Sequence, residues 1–179
     1  AAYVLRPTSE TYNSQAKPDG STLEYTEYSN TGGSAQAGAD LINLGDDASN
    51  RQYRNILSFN TSPIPDAAVI TKAVLNIKRY RVVGGGNPVS IFKGFMVDIK
   101  NGTFGTSALT ANDFQAAASK TYGPFTTAIS GGWYSIDLTN AKGNINKATK
   151  GSGLTQIRLR FKLDDNNNYA ANFIKLYSG

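Results

Sequence analysis

The chain has 179 residues and a formal net charge of +5, and it contains neither cysteine nor histidine. Its length suits one domain with a substantial core, and no run of about eighteen apolar residues is present to span a membrane. Without cysteine there are no disulfides, and without histidine the commonest general base and the usual zinc and copper ligands are missing, so we expect a protein that is not an enzyme.

The first predicted element is a short strand at Tyr3, Val4 and Leu5. A polar turn follows it, and a second strand is expected from Leu23 onward. The stretch 30–38 is rich in Gly, Ser and Ala, which is typical of a loop, and we expect it to be mobile.

Clear strand patterns occupy the next part of the chain. Short strands are predicted at 41–44 and 53–60, with Leu57 and Phe59 in the core. The longer segment 69–83 alternates apolar and polar residues, which predicts a strand with one buried face.

A further strand is predicted over 89–99, where Lys93 interrupts an otherwise apolar face. That lysine either forms an isopeptide bond with a neighbouring strand or bends toward solvent. The segment 110–119 is the best helix candidate, because Thr110 suits an N-cap and Asp113 follows at the third helical position.

A strand at 133–138 and a helical turn within 139–150 precede the final part of the chain. There, apolar residues alternate with charged ones, which is the pattern of a half-buried strand. The apolar positions are Ile157, Leu159, Phe161 and Leu163. An acidic and amide-rich loop at 164–168 separates this strand from the apolar segment 173–177, and the two are predicted to form a hairpin.

The predicted elements amount to roughly eight or nine short strands with one or two small helices. This pattern favours an all-β fold, in which residues 1–179 form one domain of two antiparallel sheets packed as a jelly-roll-like β-sandwich.

Four segments of the sequence, in this order, resemble a known family. They read PTSETY at 7–12, RNILSFNTSPIPDAAVITKAVL at 54–75, GWYSIDLT at 132–139 and RLRFKLDDNNNYAANFIKLYSG at 158–179. They are similar to the DNRLRE-type domains, which are β-sandwich modules of secreted proteins. Asn55 and Ser58 depart from the family pattern, and relatives continue beyond the last segment into one more strand.

The resemblance implies a non-catalytic module of the kind attached to polysaccharide-degrading enzymes or surface proteins, with some relatives similar to carbohydrate-binding modules. Independently, Ala1 and Ala2 look like the small-residue end that a signal peptidase leaves. We therefore expect an extracellular or cell-surface protein, with an excised fragment as the alternative.

Exposed aromatic and basic residues are the candidate ligand-binding groups. Aromatic rings stack on sugar rings, and basic groups attract uronic acids or sulfated glycans. The candidates are Trp133, Tyr134, Tyr80, Arg158 and Arg160. There are two alternatives. In the first, Trp133 is instead packed at the edge of the sandwich, and in the second, the basic residues only form a soluble, exposed sheet face.

The loop at 164–168 is the candidate metal site. Calcium prefers six to eight oxygen ligands, and consecutive Asp and Asn residues on a tight loop supply them. The candidate ligands are Asp164, Asp165, Asn166 and Asn168. The equal alternative is a turn whose residues tolerate left-handed backbone and bond their own main chain. A second acidic cluster, Asp46, Asp47 and Asn50, is expected to be a solvated turn.

Two functions follow from these patterns. The first is surface adhesion or recognition of a polysaccharide or cell-surface glycan. The second is a filament or pilus subunit, in which the strand Tyr3, Val4 and Leu5 of one copy completes the sheet of the next. A nucleic-acid partner is not expected, because the basic residues are interleaved along strands and no nucleic-acid-binding motif is present. A catalytic carboxylate pair, for example Asp98 with Asp137, is disfavoured.

Overall fold

The computed structural model describes residues 2–5, 19–147 and 153–178. Its strands are β1 (Gly20–Glu24), β2 (Gly32–Ala37), β3 (Leu41–Asp46), β4 (Gln52–Asn60), β5 (Val74–Val83), β6 (Phe95–Asn101), β7 (Lys120–Phe125), β8 (Trp133–Asp137), β9 (Leu154–Phe161) and β10 (Asn172–Tyr177). A single α-helical turn, α1 (Pro88–Ile91), and two 3-10 helices, Ala111–Phe114 and Thr139–Asn144, complete the described elements.

The strands form two antiparallel layers. The first layer has the order β7-β6-β9-β4-β1-β2, and the second has the order β3-β10-β5-β8. The layers join at the start of β4, where Tyr53 and Gln52 pair with Gly45 and Asp46 of β3. The expectation of an all-β antiparallel sandwich with few helices is therefore confirmed.

The main core lies between the two layers because alternate residues of each strand point inward. From β9, Ile157, Leu159 and Phe161 are buried, as the alternation predicted. They meet Ile174 and Leu176 of β10 within one apolar cluster. Leu57 belongs to this core, and Phe59 packs against it from a half-buried position.

A second, smaller layer covers the outer face of the first sheet. Ile56, Phe104 and Leu109 form a separate buried cluster there. The segment that supplies it ends in the 3-10 helix Ala111–Phe114, whose predicted cap is confirmed: the N–H of Thr110 donates to Asp113 Oδ2 at 2.9 Å. Because of this cover, Arg158 on the outer face of β9 is buried and Arg160 is partly buried, although the alternating sequence pattern predicted that both face solvent.

Three expectations about the strands are wrong. β9 and β10 are not a hairpin, because β9 pairs with β4 and β6 whereas β10 pairs with β3 and β5. The intervening loop therefore crosses from one layer to the other. The stretch 30–38 is not a loop, since β2 occupies most of it. Tyr3, Val4 and Leu5 belong to none of the described strands.

Other boundaries differ because backbone geometry overrides the apolar pattern. The expected strand 89–99 begins only at Phe95, since Asn87 caps α1 and Lys93 has a left-handed φ of 63°. That conformation turns the exposed Lys93 away from the core, in line with bending toward solvent. β7, which contains the cis peptide bond Gly123–Pro124, was not predicted at all. Within the described ranges, no helix is long and apolar enough to cross a bilayer.

Candidate functional site

An exposed group of aromatic side chains lies on the outer face of the second sheet. We call Trp133, Tyr80, Tyr177 and Lys78 the aromatic patch. The three rings are 43%, 51% and 43% exposed. The rings of Tyr80 and Tyr177 lie edge to face with centroids 5.6 Å apart. The Lys78 Nζ is 5.9 Å from the Trp133 ring and 5.7 Å from the Tyr177 ring, so one ammonium group lies near both.

Strand register places these side chains together. Lys78 of β5 is the cross-strand partner of Trp133 of β8, and the two point to the same face. One step further along the same strands, Asn76 pairs with Ser135, and the Ser135 hydroxyl donates to Asn76 Oδ1 at 2.7 Å. The face therefore offers flat apolar rings at one end and exposed hydrogen-bonding groups beside them.

Two of the five predicted ligand-binding residues lie on this patch, and Tyr134 does not reach the surface. Trp133 and Tyr80 are exposed neighbours of Lys78, as described above. Tyr134 is only 2% exposed, because the strand alternation that turns Trp133 outward turns Tyr134 into the core against Phe95. The prediction that Tyr134 belongs to an exposed stacking surface is wrong.

Arg158 and Arg160 are also unsuited to the predicted role. Arg158 is buried, with its Nε 2.7 Å from Asp98 Oδ2, and it donates to the carbonyl oxygen of Ala116. Arg160 Nε lies 3.0 Å from the same carboxylate oxygen. Both arginines therefore neutralise Asp98 on the covered face of the first sheet, and they do not form a basic strip for a ligand. The alternative of a solvated sheet face fails for Arg158 for the same reason.

The carboxylates Asp98 and Asp137 do not form a catalytic pair. Burial opposes ionisation of Asp98, but the hydrogen bond from Arg160 and the charge of Arg158 outweigh it and hold its pKa below the usual range. Asp137 lies on the exposed face of the other sheet, where hydrogen bonds from Thr139 lower its pKa. Neither carboxyl has the raised pKa of a general acid, and they lie on different faces.

The acidic loop satisfies much of its hydrogen bonding internally. Oxygens of Asp165, Asn166 and Asn168 accept main-chain N–H groups two residues further on, at 2.8, 3.2 and 2.9 Å. Asp164 Oδ1 accepts the N–H of the next residue at 3.1 Å. This is the geometry of the turn alternative. In the part of the chain that the structure describes, no group of three or more His, Cys, Asp or Glu side chains is placed to hold a metal ion. The calcium site stays a prediction.

The loop is anchored to the second acidic cluster (Asp46, Asp47 and Asn50), which is not the solvated turn that was expected. Asp46 and Asn50 are fully buried. The Asp46 carboxylate accepts the N–H groups of Asn166 and Asn172, both at 3.1 Å. Burial raises the pKa of Asp46 to about 6, against the lowering effect of these two donors.

An exposed cluster of three tyrosines lies at the same end of the molecule as the acidic loop. Tyr25, Tyr28 and Tyr169 are 67%, 78% and 63% exposed. Glu27 accepts hydrogen bonds from the Tyr169 hydroxyl at 3.2 Å and from Asn50 Nδ2 at 3.1 Å. A hydrogen bond with Glu27 raises the pKa of Tyr28 to about 12. The tyrosines thus surround a carboxylate, whereas the aromatic patch surrounds an ammonium group.

The predicted assembly strand is exposed. Tyr3 is 46% and Val4 is 87% exposed, and Leu5 is half-buried. Among the described strands, β7 and β8 end the path through the sheet, and each pairs with one neighbour only. An apolar extended segment and unpaired strand edges are therefore both present on the surface.

Tyr177 of the aromatic patch was missed as a candidate ligand-binding residue because it joins the patch only through strand order. Tyr177 lies in β10, which is next to β5 in space but far from it in sequence. The sequence does contain a signal for Tyr177, because Phe173, Lys175 and Tyr177 alternate with the apolar positions Ile174 and Leu176, which predicts that they point away from the core.

No protein-family model matches the chain, and a search of curated proteins finds no match. The resemblance to DNRLRE-type domains therefore stays a prediction.

Proposed function

We propose that this protein is a non-catalytic, extracellular β-sandwich that binds a polysaccharide or cell-surface glycan on the aromatic patch. The observation that carries the proposal is the exposed set of rings around Lys78 on a flat sheet face. Sugar rings stack their apolar C–H faces on aromatic rings, and their hydroxyl groups need hydrogen-bonding partners alongside. Asn76 and Ser135 supply such partners on the same face.

The exposed apolar area of Trp133 favours a ligand on this face over a purely structural role for this residue. A tryptophan that is 43% exposed leaves apolar area in water, and covering that area with a sugar is favourable by about 25 cal/mol for each Å² removed from water. The strand framework fixes the rings, so little side-chain entropy is lost on binding. The patch also lies on a protein with a net charge of +5, which favours acidic glycans.

Affinity electrophoresis tests this proposal. The protein is run in native gels that contain xylan, pectate, alginate or dextran, and retardation by at least one polymer is expected. Trp133→Ala should weaken the retarding interaction by about tenfold or more, because it removes the largest ring of the patch. Tyr28→Ala removes a more exposed ring at the other end of the molecule, and it should leave retardation unchanged.

Two outcomes of these gels would count against the proposal. If none of the polymers retards the wild-type protein, or if Trp133→Ala and Tyr28→Ala behave alike, the aromatic patch is not a glycan surface. Circular dichroism of each variant separates loss of binding from loss of fold.

A second candidate function, a filament or pilus subunit, has its own supporting observation. Val4 is 87% exposed in an apolar segment that belongs to no described strand, while β7 and β8 each have an unpaired edge. Such an edge accepts an extended segment from another copy by main-chain hydrogen bonding, and repeated head-to-tail contacts give an open polymer.

Light scattering and negative-stain electron microscopy test this candidate. Polymers that grow with protein concentration are expected, and Val4→Asp should prevent them because a charge would then be buried at the contact between copies. Val69→Asp, at an 84% exposed valine before β5, serves as the control. A monomer at all concentrations would exclude strand donation.

A further inference from the structure

Arg79 lies on a cavity at one end of the core. In β5, Leu75 and Ile77 point inward, and Arg79 continues the same register where the core ends. Its main-chain N–H donates to the carbonyl oxygen of Gly132 at 2.8 Å, beside the entrance to β8. The cavity that Arg79 lines has a volume of about 290 Å³.

Arg79 differs from the other described arginines because it is half-buried without a partner, whereas Arg81, which also lacks an ion pair, is exposed. Arg51, Arg158 and Arg160 each form an ion pair, with Asp47 or Asp98. Arg54 donates to a main-chain carbonyl and lies over the Phe114 ring. Among the residues that the structure describes, Arg79 makes no ion pair or side-chain hydrogen bond, although it is half-buried. A partly desolvated cation without a partner is unfavourable, so this position suits an external anion.

The lining of the cavity combines apolar and polar groups. Tyr134, Val89 and Ile129 supply apolar walls, and Asn87 and Thr127 supply polar atoms at the rim. The Asn87 side-chain oxygen already accepts the Val89 N–H at 3.2 Å, which leaves its amide N–H₂ group to donate to a ligand. An apolar wall facing a few hydrogen-bonding groups is the usual arrangement of a small-ligand site.

The size and chemistry indicate one class of ligand. The volume is at the low end of the roughly 300–1,000 Å³ found for ligand pockets, so it fits a single small group and not an extended chain. A guanidinium group binds a carboxylate through two parallel hydrogen bonds. A hexuronate unit supplies a carboxylate, an apolar ring face and hydroxyl groups together.

We propose that the Arg79 cavity is a subsite for the carboxylate of one hexuronate unit. This inference rests on the proposed glycan-binding function and specifies its ligand as an acidic polysaccharide. Gly132 and Trp133 are consecutive, so the cavity and the aromatic patch adjoin the same strand entrance. Arg79 faces the core side of β5 and the patch lies on the outer face, so the polymer stacks on the patch and passes around the free edge of β8 to place its acidic unit at Arg79.

Nuclear magnetic resonance titration with sodium galacturonate tests the subsite directly. Galacturonate should shift the amide signals of Gly132 and Ile129, and galactose at the same concentration should not. Arg79→Gln should weaken galacturonate binding by about tenfold or more, as expected for loss of a charge-assisted hydrogen-bond pair. Arg81→Gln, at an exposed arginine of the same strand, should change it by less than about twofold.

Several results would overturn the subsite. The subsite is wrong if galacturonate causes no shift, and equal weakening by Arg79→Gln and Arg81→Gln would indicate only long-range attraction between charges. Equal shifts with sodium sulfate would reduce the site to a general anion site. Stronger shifts with a glutamate-rich peptide would assign the cavity to a protein partner.

Gels that contain pectate or fully methyl-esterified pectin separate failure of this subsite from failure of the proposed function. If both polymers bind wild type and Arg79→Gln equally, the subsite is wrong and the aromatic patch stands. If neither polymer binds but free galacturonate shifts Gly132, the subsite stands and polysaccharide binding is wrong. The expected result is a preference for pectate that Arg79→Gln removes.

Discussion

Asp98 shows how much of this fold depends on individual buried charges. Its carboxylate contacts Arg158 and Arg160 and accepts the Thr121 hydroxyl at 2.6 Å. Attraction to two guanidinium groups offsets the cost of removing these ions from water. These three charged residues therefore stabilise the covered face of the first sheet only when the carboxylate and the guanidinium groups are both present.

Asp98→Asn should destabilise the protein by about 3–5 kcal/mol, because it leaves Arg158 buried without its counter-charge. Urea unfolding measures the change. Asp137→Asn is the matched control, since Asp137 is an exposed strand aspartate, and it should change the free energy of unfolding by less than about 0.5 kcal/mol. A loss below about 1 kcal/mol for Asp98→Asn would contradict the assignment of this ion pair.

Asp46 should titrate far from an ordinary aspartate. Burial raises its pKa to about 6, compared with 3.8 for the free side chain. Between these values the folded state binds more protons than the unfolded state, so this group lowers stability as pH rises through that window. At 1.36 kcal/mol per pKa unit, the effect reaches about 3 kcal/mol. Carbon-13 detected titration of the Asp46 carboxyl measures the pKa, and a value near 4 would contradict its burial.

The close approach of β3 and β10 leaves no room for a side chain at Gly45. Gly45 has a φ of 134°, and a Cβ there would lie 2.2 Å from the carbonyl oxygen of Asn172. Gly45→Ala should therefore cost roughly 2 kcal/mol or more and lower Tm by about 4–8 °C in thermal unfolding.

Gly85→Ala provides the comparison, because no atom lies within 4 Å of a Cβ at Gly85. Its Tm should stay within about 2 °C of wild type. Equal effects of the two substitutions would mean that β3 and β10 do not approach each other as described.

The strands differ in how well the sequence predicted them. Alternation identified β9 and its buried residues because the period of two is set by local backbone geometry. It misplaced Arg158, since the layer that covers this residue comes from a distant segment. β2 was interpreted as a loop because its small polar residues give no apolar alternation. Its pairing with β1 is a non-local interaction that composition does not show.

The candidate site was predictable only in part, for the same reason. Exposure of Trp133 follows from the local pattern of β8, but its neighbours Lys78 and Tyr177 come from two other strands. Strand order, which brings β10 next to β5, is not encoded in any single segment. The turn geometry of the acidic loop was one of two interpretations that the sequence left open.

Two exposed aromatic surfaces of the molecule surround groups of opposite charge. The outer face of the second sheet carries aromatic rings around Lys78, whereas the loop end carries tyrosines around Glu27. The glycan binding that we propose for the first surface and the strand donation that we propose for the segment at Tyr3 and Val4 involve different residues. A filament that binds polysaccharide along its length is therefore compatible with the geometry.

Trp133 is the only tryptophan of the chain, so its fluorescence reports directly on the aromatic patch. Titration of the wild-type protein with pectate tests the central claim. We expect a saturable blue shift and a change in intensity, because the stacked sugar replaces water on the ring. Tyr80→Ala should weaken this response by about tenfold, and Tyr28→Ala should leave it unchanged. A Trp133 emission spectrum that no polysaccharide alters would contradict the claim.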